Sequence, residues 1–191
     1  MLTRSVVVPV YRNEATLPEL LRQLSELYER SSDAFEMVFV VDGSPDNSYA
    51  VLRLHLSQMP FPSQLISLSR NFGSFAAIRA GMTHAHGEFV AVLAADLQQP
   101  VSSVSQFFEA LERGADIVIA QRESRDDPWF SKMAATTFWR LYRRFVQSEM
   151  PQGGADSFAC TRRVRDVLVG MPEANSALVG LLFWVGFRRE L

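Results

Sequence analysis

The 191-residue chain has one cysteine, Cys160, and one lysine, Lys132. A single cysteine excludes an intrachain disulfide framework and a cysteine zinc site, and it fits a reducing compartment. With 19 basic residues and only one lysine, 18 are arginines, so cationic work falls to the planar guanidinium fork that suits phosphate. An excess of one charge is also missing. Nineteen basic against 21 acidic residues give a formal net charge of -2, which creates no field to gather nucleic acid. A nucleic-acid-binding role is therefore excluded. Long apolar runs are lacking too: the longest, Leu178 to Val185 with Gly180 inside it, falls far below the roughly 20 residues of a spanning helix. The N-terminal MLTRSVVVPVY passes straight into a strand-like pattern, so no signal peptide is expected and the chain reads as soluble. His55, His84 and His86 show no metal-ligand spacing with acids or cysteine and read as structural or solvated. No internal repeat, low-complexity tract or linker interrupts the chain, and its length suits a single domain over residues 1–191.

What is present is alternation. Val6–Tyr11 and Phe35–Val41 are continuous apolar runs, as expected of strands buried on both faces, and Leu65–Leu68, Phe89–Ala94 and Ile117–Ala120 repeat the pattern. Between them, Leu17–Tyr28 carries apolar residues at 17, 20, 21, 24, 27 and 28, and Phe75–Ala85 and Val104–Leu111 have a similar helical period. Strands separated by helices predict an α/β fold, an open and mostly parallel twisted sheet flanked by helices and joined by right-handed crossovers. Ligands of such a sheet bind outside the carboxyl ends of its strands. The aromatic-rich stretch Trp129–Val146 reads as a core-packed helix, with a membrane-surface helix as the alternative.

Four constellations lie at or near those carboxyl ends. Asp42-Gly43-Ser44-Pro45-Asp46-Asn47-Ser48 is a turn that caps the next helix or a segment whose Asp42 contacts a nucleotide. Ala94-Ala95-Asp96-Leu97-Gln98-Gln99-Pro100 offers Asp96 as a helix cap or as a carboxylate for Mg²⁺ or Mn²⁺ shared with diphosphate oxygens. In Gln121-Arg122-Glu123-Ser124-Arg125-Asp126-Asp127, Arg122 and Arg125 bind an anion or pair with neighbouring acids in a solvated loop. After Gly153-Gly154-Ala155, Asp156 is a general base or a turn residue.

Taken together and in order, these segments resemble the family 2 glycosyltransferases with the GT-A fold. The matching pieces are Val8-Pro9-Val10-Tyr11 with Asn13-Glu14, Val41 through Ser48, Leu68-Ser69-Arg70-Asn71-Phe72-Gly73, and Ala80-Gly81. They continue with Ala85-His86-Gly87-Glu88, Ala95 through Pro100, and Gln121-Arg122 through Arg125. Ser-Arg-Asn-Phe-Gly and Asp-Leu-Gln-x-Pro are especially similar to the branch of dolichol-phosphate mannose synthases and bacterial polyprenyl-phosphate glycosyltransferases. The resemblance implies an inverting, metal-dependent transferase of cell-envelope glycan biosynthesis, moving a sugar from a UDP- or GDP-sugar to a polyprenyl-phosphate or lipid-linked acceptor. It also implies a cytoplasmic chain at the inner face of the cell membrane, lacking a C-terminal extension found in relatives. Transfer to a saccharide hydroxyl, or donor binding without catalysis, are the alternatives.

Donor-binding roles are implied for Pro9, Tyr11, Glu14, Asp42, Arg70, Asp96 and Gln98, with Pro9, Tyr11 and Asp42 around the base and ribose. Asp96 matches the last acid of the family's Asp-x-Asp motif and would hold Mg²⁺ or Mn²⁺, with Gln98 beside it. Arg122 and Arg125 match arginines near the acceptor phosphate, and Asp156 matches the acid on the acceptor side, so these three are the implied catalytic residues. The chain departs from the pattern at Val41, in place of the first of two acids, at Ala94, in place of the first acid of Asp-x-Asp, and at Asn13, often Glu in relatives.

Overall fold

The computed structural model describes residues 4–31, 34–120, 157–171 and 178–190. The predicted Arg122, Arg125 and Asp156, and the aromatic stretch 129–146, lie outside them. The elements run β1 (Arg4–Val10), α1 (Leu17–Arg30), β2 (Phe35–Val41), α2 (Ser48–His55), β3 (Ser63–Ser67), α3 (Ser74–His84), β4 (Phe89–Val92), α4 (Ser103–Glu112) and β5 (Ile117–Ile119). They continue with β6 (Phe158–Thr161), α5 (Arg162–Gly170), α6 (Leu178–Trp184) and β7 (Arg189–Glu190). The strands form one sheet in the order β3-β2-β1-β4-β6-β5-β7. β1 pairs in parallel with β2 and β4, β2 with β3, and β5 with β7, while β6 runs antiparallel between β4 and β5. The expected open, mostly parallel sheet is therefore observed, with one reversed strand.

Alternation along each strand divides the core into two layers. Val6, Val8 and Val10 of β1 and Phe35, Met37, Phe39 and Val41 of β2 face α1 and α4, whereas Val7, Val38 and Val40 face α3, α5 and α6. In α1, Leu17, Leu20, Leu21, Leu24 and Leu27 fall on one face and are buried, as their 3–4 spacing requires. Pro18, in the first turn of α1, needs no hydrogen-bond partner there. α3 lies close on β1 because Gly81 has no side chain: a Cβ there would sit 2.3 Å from Val7 Cγ1. Arginines cap α3 and α5 reciprocally. Arg79 of α3 donates to Val169 O and Met171 O at the end of α5, and Arg165 of α5 donates to Met82 O and Ala85 O at the end of α3.

At the N-terminal ends of the strands Glu36 is 3% exposed inside an otherwise apolar strand. It accepts from Ser5 Oγ at 2.7 Å, Gln64 Nε2 at 3.1 Å and the His86 amide at 2.6 Å, with His86 Nδ1 3.1 Å away. Burial pushes its carboxyl up, but these donors outweigh burial and hold it below the usual carboxylate range. His86, expected to be structural or solvated, braces Glu36 while its ring stays largely exposed, and His84 Nδ1 lies 2.9 Å from Ala80 O within α3. Cys160 is fully buried, and burial pushes its thiol up to about 12, leaving it unreactive.

Candidate functional site

From β1 the chain builds β2 and β3 to one side, then returns to place β4 on the other side of β1. The loops after β1 and β4 therefore diverge and open a crevice at the carboxyl ends of the strands. A cavity of about 300 Å³ occupies this place, lined by Pro9, Val10, Tyr11, Asn13, Asp42, Asn71, Gly73, Ser74, Ala94, Ala95 and Asp96. Four predicted donor-binding residues, Pro9, Tyr11, Asp42 and Asp96, are thus brought together, although they lie up to 87 positions apart in the chain (96 minus 9).

The cavity wall is assembled by carboxylates that accept backbone N–H groups. Asp42, 2% exposed at the end of β2, accepts from Phe72 N and Gly73 N, both at 2.8 Å, and so fixes the loop after β3. Next to it, Gly43 has φ +56, and a Cβ there would lie 2.2 Å from Arg70 C, so the two loops touch backbone to backbone where only glycine is accommodated. Asp46 Oδ2 accepts from Glu14 N at 3.0 Å, while its Oδ1 accepts from Ser44 Oγ at 2.6 Å and Ser48 N at 3.1 Å. Burial pushes the Asp46 carboxyl up, but the hydrogen bonds from Ser44, Ser48 and Glu14 outweigh it and hold the group at about 2.

Glu14 completes the brace. Its two oxygens accept from Asn47 N at 3.0 Å and Asn47 Nδ2 at 2.9 Å. Arg12 N and Asn13 N donate to Ser44 Oγ at 2.8 Å and Ser48 Oγ at 3.2 Å. Thr16, at the start of α1, donates its hydroxyl to Ala95 O at 2.8 Å and ties the loop after β1 to the one after β4. The turn expected within residues 42–48 is therefore observed at Asp46, through Ser48 N; Asn47, the N-cap residue of α2, makes no side-chain cap hydrogen bond, and Asp42 is spent on the neighbouring loop.

Three predicted donor-binding residues do not line the cavity. Glu14 faces Asn47, and the Arg70 guanidinium lies 4.0 Å from the Phe72 ring centre and donates to Asn71 O at 3.1 Å. Gln98 contributes its backbone N–H to Asp96 Oδ1 at 3.1 Å, a turn that replaces the helix cap considered for Asp96. Conversely, Asn71, Gly73 and Ser74 line the cavity without having been assigned roles. The available signal was a polar Asn-x-Gly-Ser step directly behind a strand, at the start of a helix.

Asp96 differs from the other acids of this wall. It is exposed, it lines the cavity, and Gln98 N supplies its single protein hydrogen bond among the described residues. No group of three or more His, Cys, Asp or Glu able to hold a metal is found among the described residues. One carboxylate with unused acceptor capacity matches Mg²⁺ or Mn²⁺, which keep several waters and take substrate phosphates as further ligands. The first turn of α3, at Gly73 and Ser74, borders the same space and turns the positive end of the helix towards it.

Comparison with known proteins agrees with this architecture. The pattern of glycosyl transferase family 2 matches residues 5–167. An uncharacterized glycosyltransferase, YkcC, of Bacillus subtilis is 36% identical over 97% of this chain and 57% of its own length. A prophage bactoprenol glucosyl transferase homolog of Escherichia coli is 31% identical over 98% of this chain and 61% of its own. The chain thus spans little more than half of the length of the curated relatives it matches. Among solved structures, the mannosyltransferase PcManGT of Pyrobaculum calidifontis, in complex with GDP-Man and Mn2+, superposes with a TM-score of 0.68 at 20% identity, over 97% of this chain and 53% of that one. Glucosyl-3-phosphoglycerate synthase of Mycobacterium tuberculosis, in complex with UDP, gives a TM-score of 0.63 at 19% identity, over 85% of this chain and 57% of that one. The fold is that of the GT-A glycosyltransferases, and the chain belongs to glycosyl transferase family 2.

Proposed function

We propose that this chain is the donor-binding and catalytic domain of an inverting, divalent-metal-dependent glycosyltransferase that moves a sugar from a nucleotide sugar to a polyprenyl-phosphate acceptor. The observation that carries this reading is the meeting of Pro9, Tyr11, Asp42 and the exposed Asp96 in one cavity at the switch point of the sheet. The cavity is built on the first strands, so the base and ribose lie against Pro9 and Tyr11, over the floor that Asp42 holds in place. Asp96 and the diphosphate would share Mg²⁺ or Mn²⁺, which when bound offsets the negative charge that grows as the anomeric bond breaks. The positive end of α3 acts on the same charge. Glu14 serves the donor by bracing the loops, Arg70 lies on the rim beside Asn71, and Gln98 secures Asp96.

In-line attack by an acceptor oxygen forms the new bond to the anomeric carbon as the diphosphate departs with the electron pair of the old one, inverting the centre. A phosphate acceptor arrives ionised and needs cationic neighbours more than a base, a role for Arg122 and Arg125. A hydroxyl acceptor would need Asp156 as base. The bactoprenol glucosyl transferase homolog among the relatives supports the phosphate acceptor, and the Mn2+ and GDP-Man bound by the mannosyltransferase support the metal and donor classes. Placement at the inner face of the cell membrane, where such an acceptor resides, belongs to the same proposal.

The test offers the full-length protein radiolabelled UDP- and GDP-sugars with Mn²⁺ and, separately, a polyprenyl phosphate, the corresponding polyprenol and a soluble oligosaccharide. Label in a polyprenyl phosphosugar of inverted anomeric configuration is expected. Label only in the oligosaccharide would overturn the acceptor, and donor binding with no turnover on any acceptor would overturn the enzyme reading.

A further inference from the structure

Among the described residues only two that are not glycine adopt a left-handed backbone, Arg12 (φ 57) and Leu97 (φ 58), and both adjoin the cavity. An L side chain in this region is opposed by its own Cβ, so something else in the structure must hold it there. For Arg12 the cause is local: its N–H is drawn to Ser44 Oγ within the brace between the loops after β1 and β2. Leu97 has no comparable hydrogen bond among the described residues. Its side chain is partly buried and packs against the core layer of α1 and α4.

We propose that Leu97 is a positioning residue for Asp96, its core packing imposing the left-handed turn that presents the carboxylate to the cavity; this rests on the reading of Asp96 as the metal- and donor-binding acid. The backbone around Asp96 is pinned on both sides. Before it, the carbonyl of Ala95, itself 3% exposed, accepts the Thr16 hydroxyl at 2.8 Å. After it, the turn through Leu97 brings Gln98 N within 3.1 Å of Asp96 Oδ1. One carboxylate oxygen is thereby held against its own turn, and the group faces the cavity in a defined orientation. Where a metal site has a single protein carboxylate, the affinity depends on how well that one group is oriented, because no second ligand restores a misplaced site. The anchor is apolar, packs against the core layer and is not among the residues lining the cavity, so Leu97 acts without touching donor or metal.

The test compares Leu97→Gly, which permits the left-handed backbone but removes the anchor, with Leu97→Met, which keeps apolar volume, and with Asp96→Asn. Mn²⁺ affinity in the presence of UDP or GDP is measured by electron paramagnetic resonance of free Mn²⁺, well below the unfolding midpoint. Exchange of the Gln98 amide is followed without metal. For Leu97→Gly we expect Mn²⁺ affinity to fall about 10-fold to 100-fold, the range seen when groups that orient metal ligands are lost, and Gln98 exchange to accelerate. For Leu97→Met both should stay within about 2-fold of the parent. If Leu97→Gly lowers the unfolding midpoint but leaves Mn²⁺ affinity and Gln98 exchange unchanged, Leu97 is merely a packing residue and the proposal is overturned. If the parent protein binds no Mn²⁺ with either nucleotide, and Asp96→Asn is equally silent, the metal reading of Asp96 fails and this proposal fails with it.

Discussion

Both ends of the central sheet carry carboxylates, and what occupies their oxygens separates the two ends. At the N-terminal ends of the strands Glu36 is buried and surrounded by Ser5, Gln64 and two groups of His86, so its acceptor capacity is consumed within the fold. At the carboxyl ends there is a gradation. Among the described residues Asp46 takes three protein donors, Asp42 and Glu14 two each, and Asp96 only Gln98 N, while remaining exposed to the cavity. Acids at the far end and along the loop brace stabilise the chain; of these described carboxylates, the one left with the most acceptor capacity lines the space where a ligand would lie. Among the described acids, the number of donors on each carboxylate thus separates the architectural ones from Asp96.

The sharpest way to break this contrast is to exchange the effects of the two ends. Asp96→Asn should lower sugar transfer by at least about 100-fold, as expected when a group acting on transition-state charge is lost, with stability changed by less than about 0.5 kcal/mol. Steady-state kinetics and urea unfolding check both halves. Glu36→Ala should do the reverse, destabilising the fold by about 2–4 kcal/mol because the buried Ser5 hydroxyl and the part-buried Gln64 and His86 donors lose their acceptor, with the donor Kd of the folded protein unchanged by calorimetry. Asp42→Asn lies between them. It places an amide donor against one of the two N–H groups now bound, and should cost about 1–2 kcal/mol and raise the donor KM several-fold by loosening the loop at Phe72 and Gly73.

The smallest effect is a pH dependence. The Asp46 carboxyl, held at about 2, lies below its ordinary 3.8, so the folded state favours the ionised form. Its contribution is fully present above about pH 4 and is lost as pH falls from there towards about 2. Asp46→Asn should lower stability at neutral pH by about 1 kcal/mol and flatten the acid limb of the unfolding midpoint against pH.

Sequence reading reached the elements whose signals are local. β1, β2 and the helical period of α1 follow from consecutive or 3–4-spaced apolar residues, and Asp42 and Asp96 stand out because each directly follows such a run. Glu36 did not stand out, since it falls inside the run Phe35–Val41, and the partners that make its burial tolerable come from residues 5, 64 and 86. The resemblance implies a donor role for Glu14, whereas its bond to Asn47, 33 positions away, exists only once two loops meet. β6 has four residues, and its antiparallel place between β4 and β5 depends on pairing with Phe89–Val92, some 70 positions earlier, which no local pattern reveals. The left-handed turn at Leu97 is not legible for the opposite reason: leucine is not a residue that turn chemistry selects there, and its packing against the core is a tertiary contact.

The central claim, that Asp96 is the acid left open for a metal-linked donor, is tested most directly by the unfolding midpoint of the protein against UDP- and GDP-sugars, each with and without Mn²⁺, for the parent chain and Asp96→Asn. A ligand that binds only the native state raises the midpoint by mass action. The expected result is a Mn²⁺-dependent rise with one of the two nucleotide classes that disappears in Asp96→Asn. An equal rise in both proteins, or one indifferent to Mn²⁺, would contradict it.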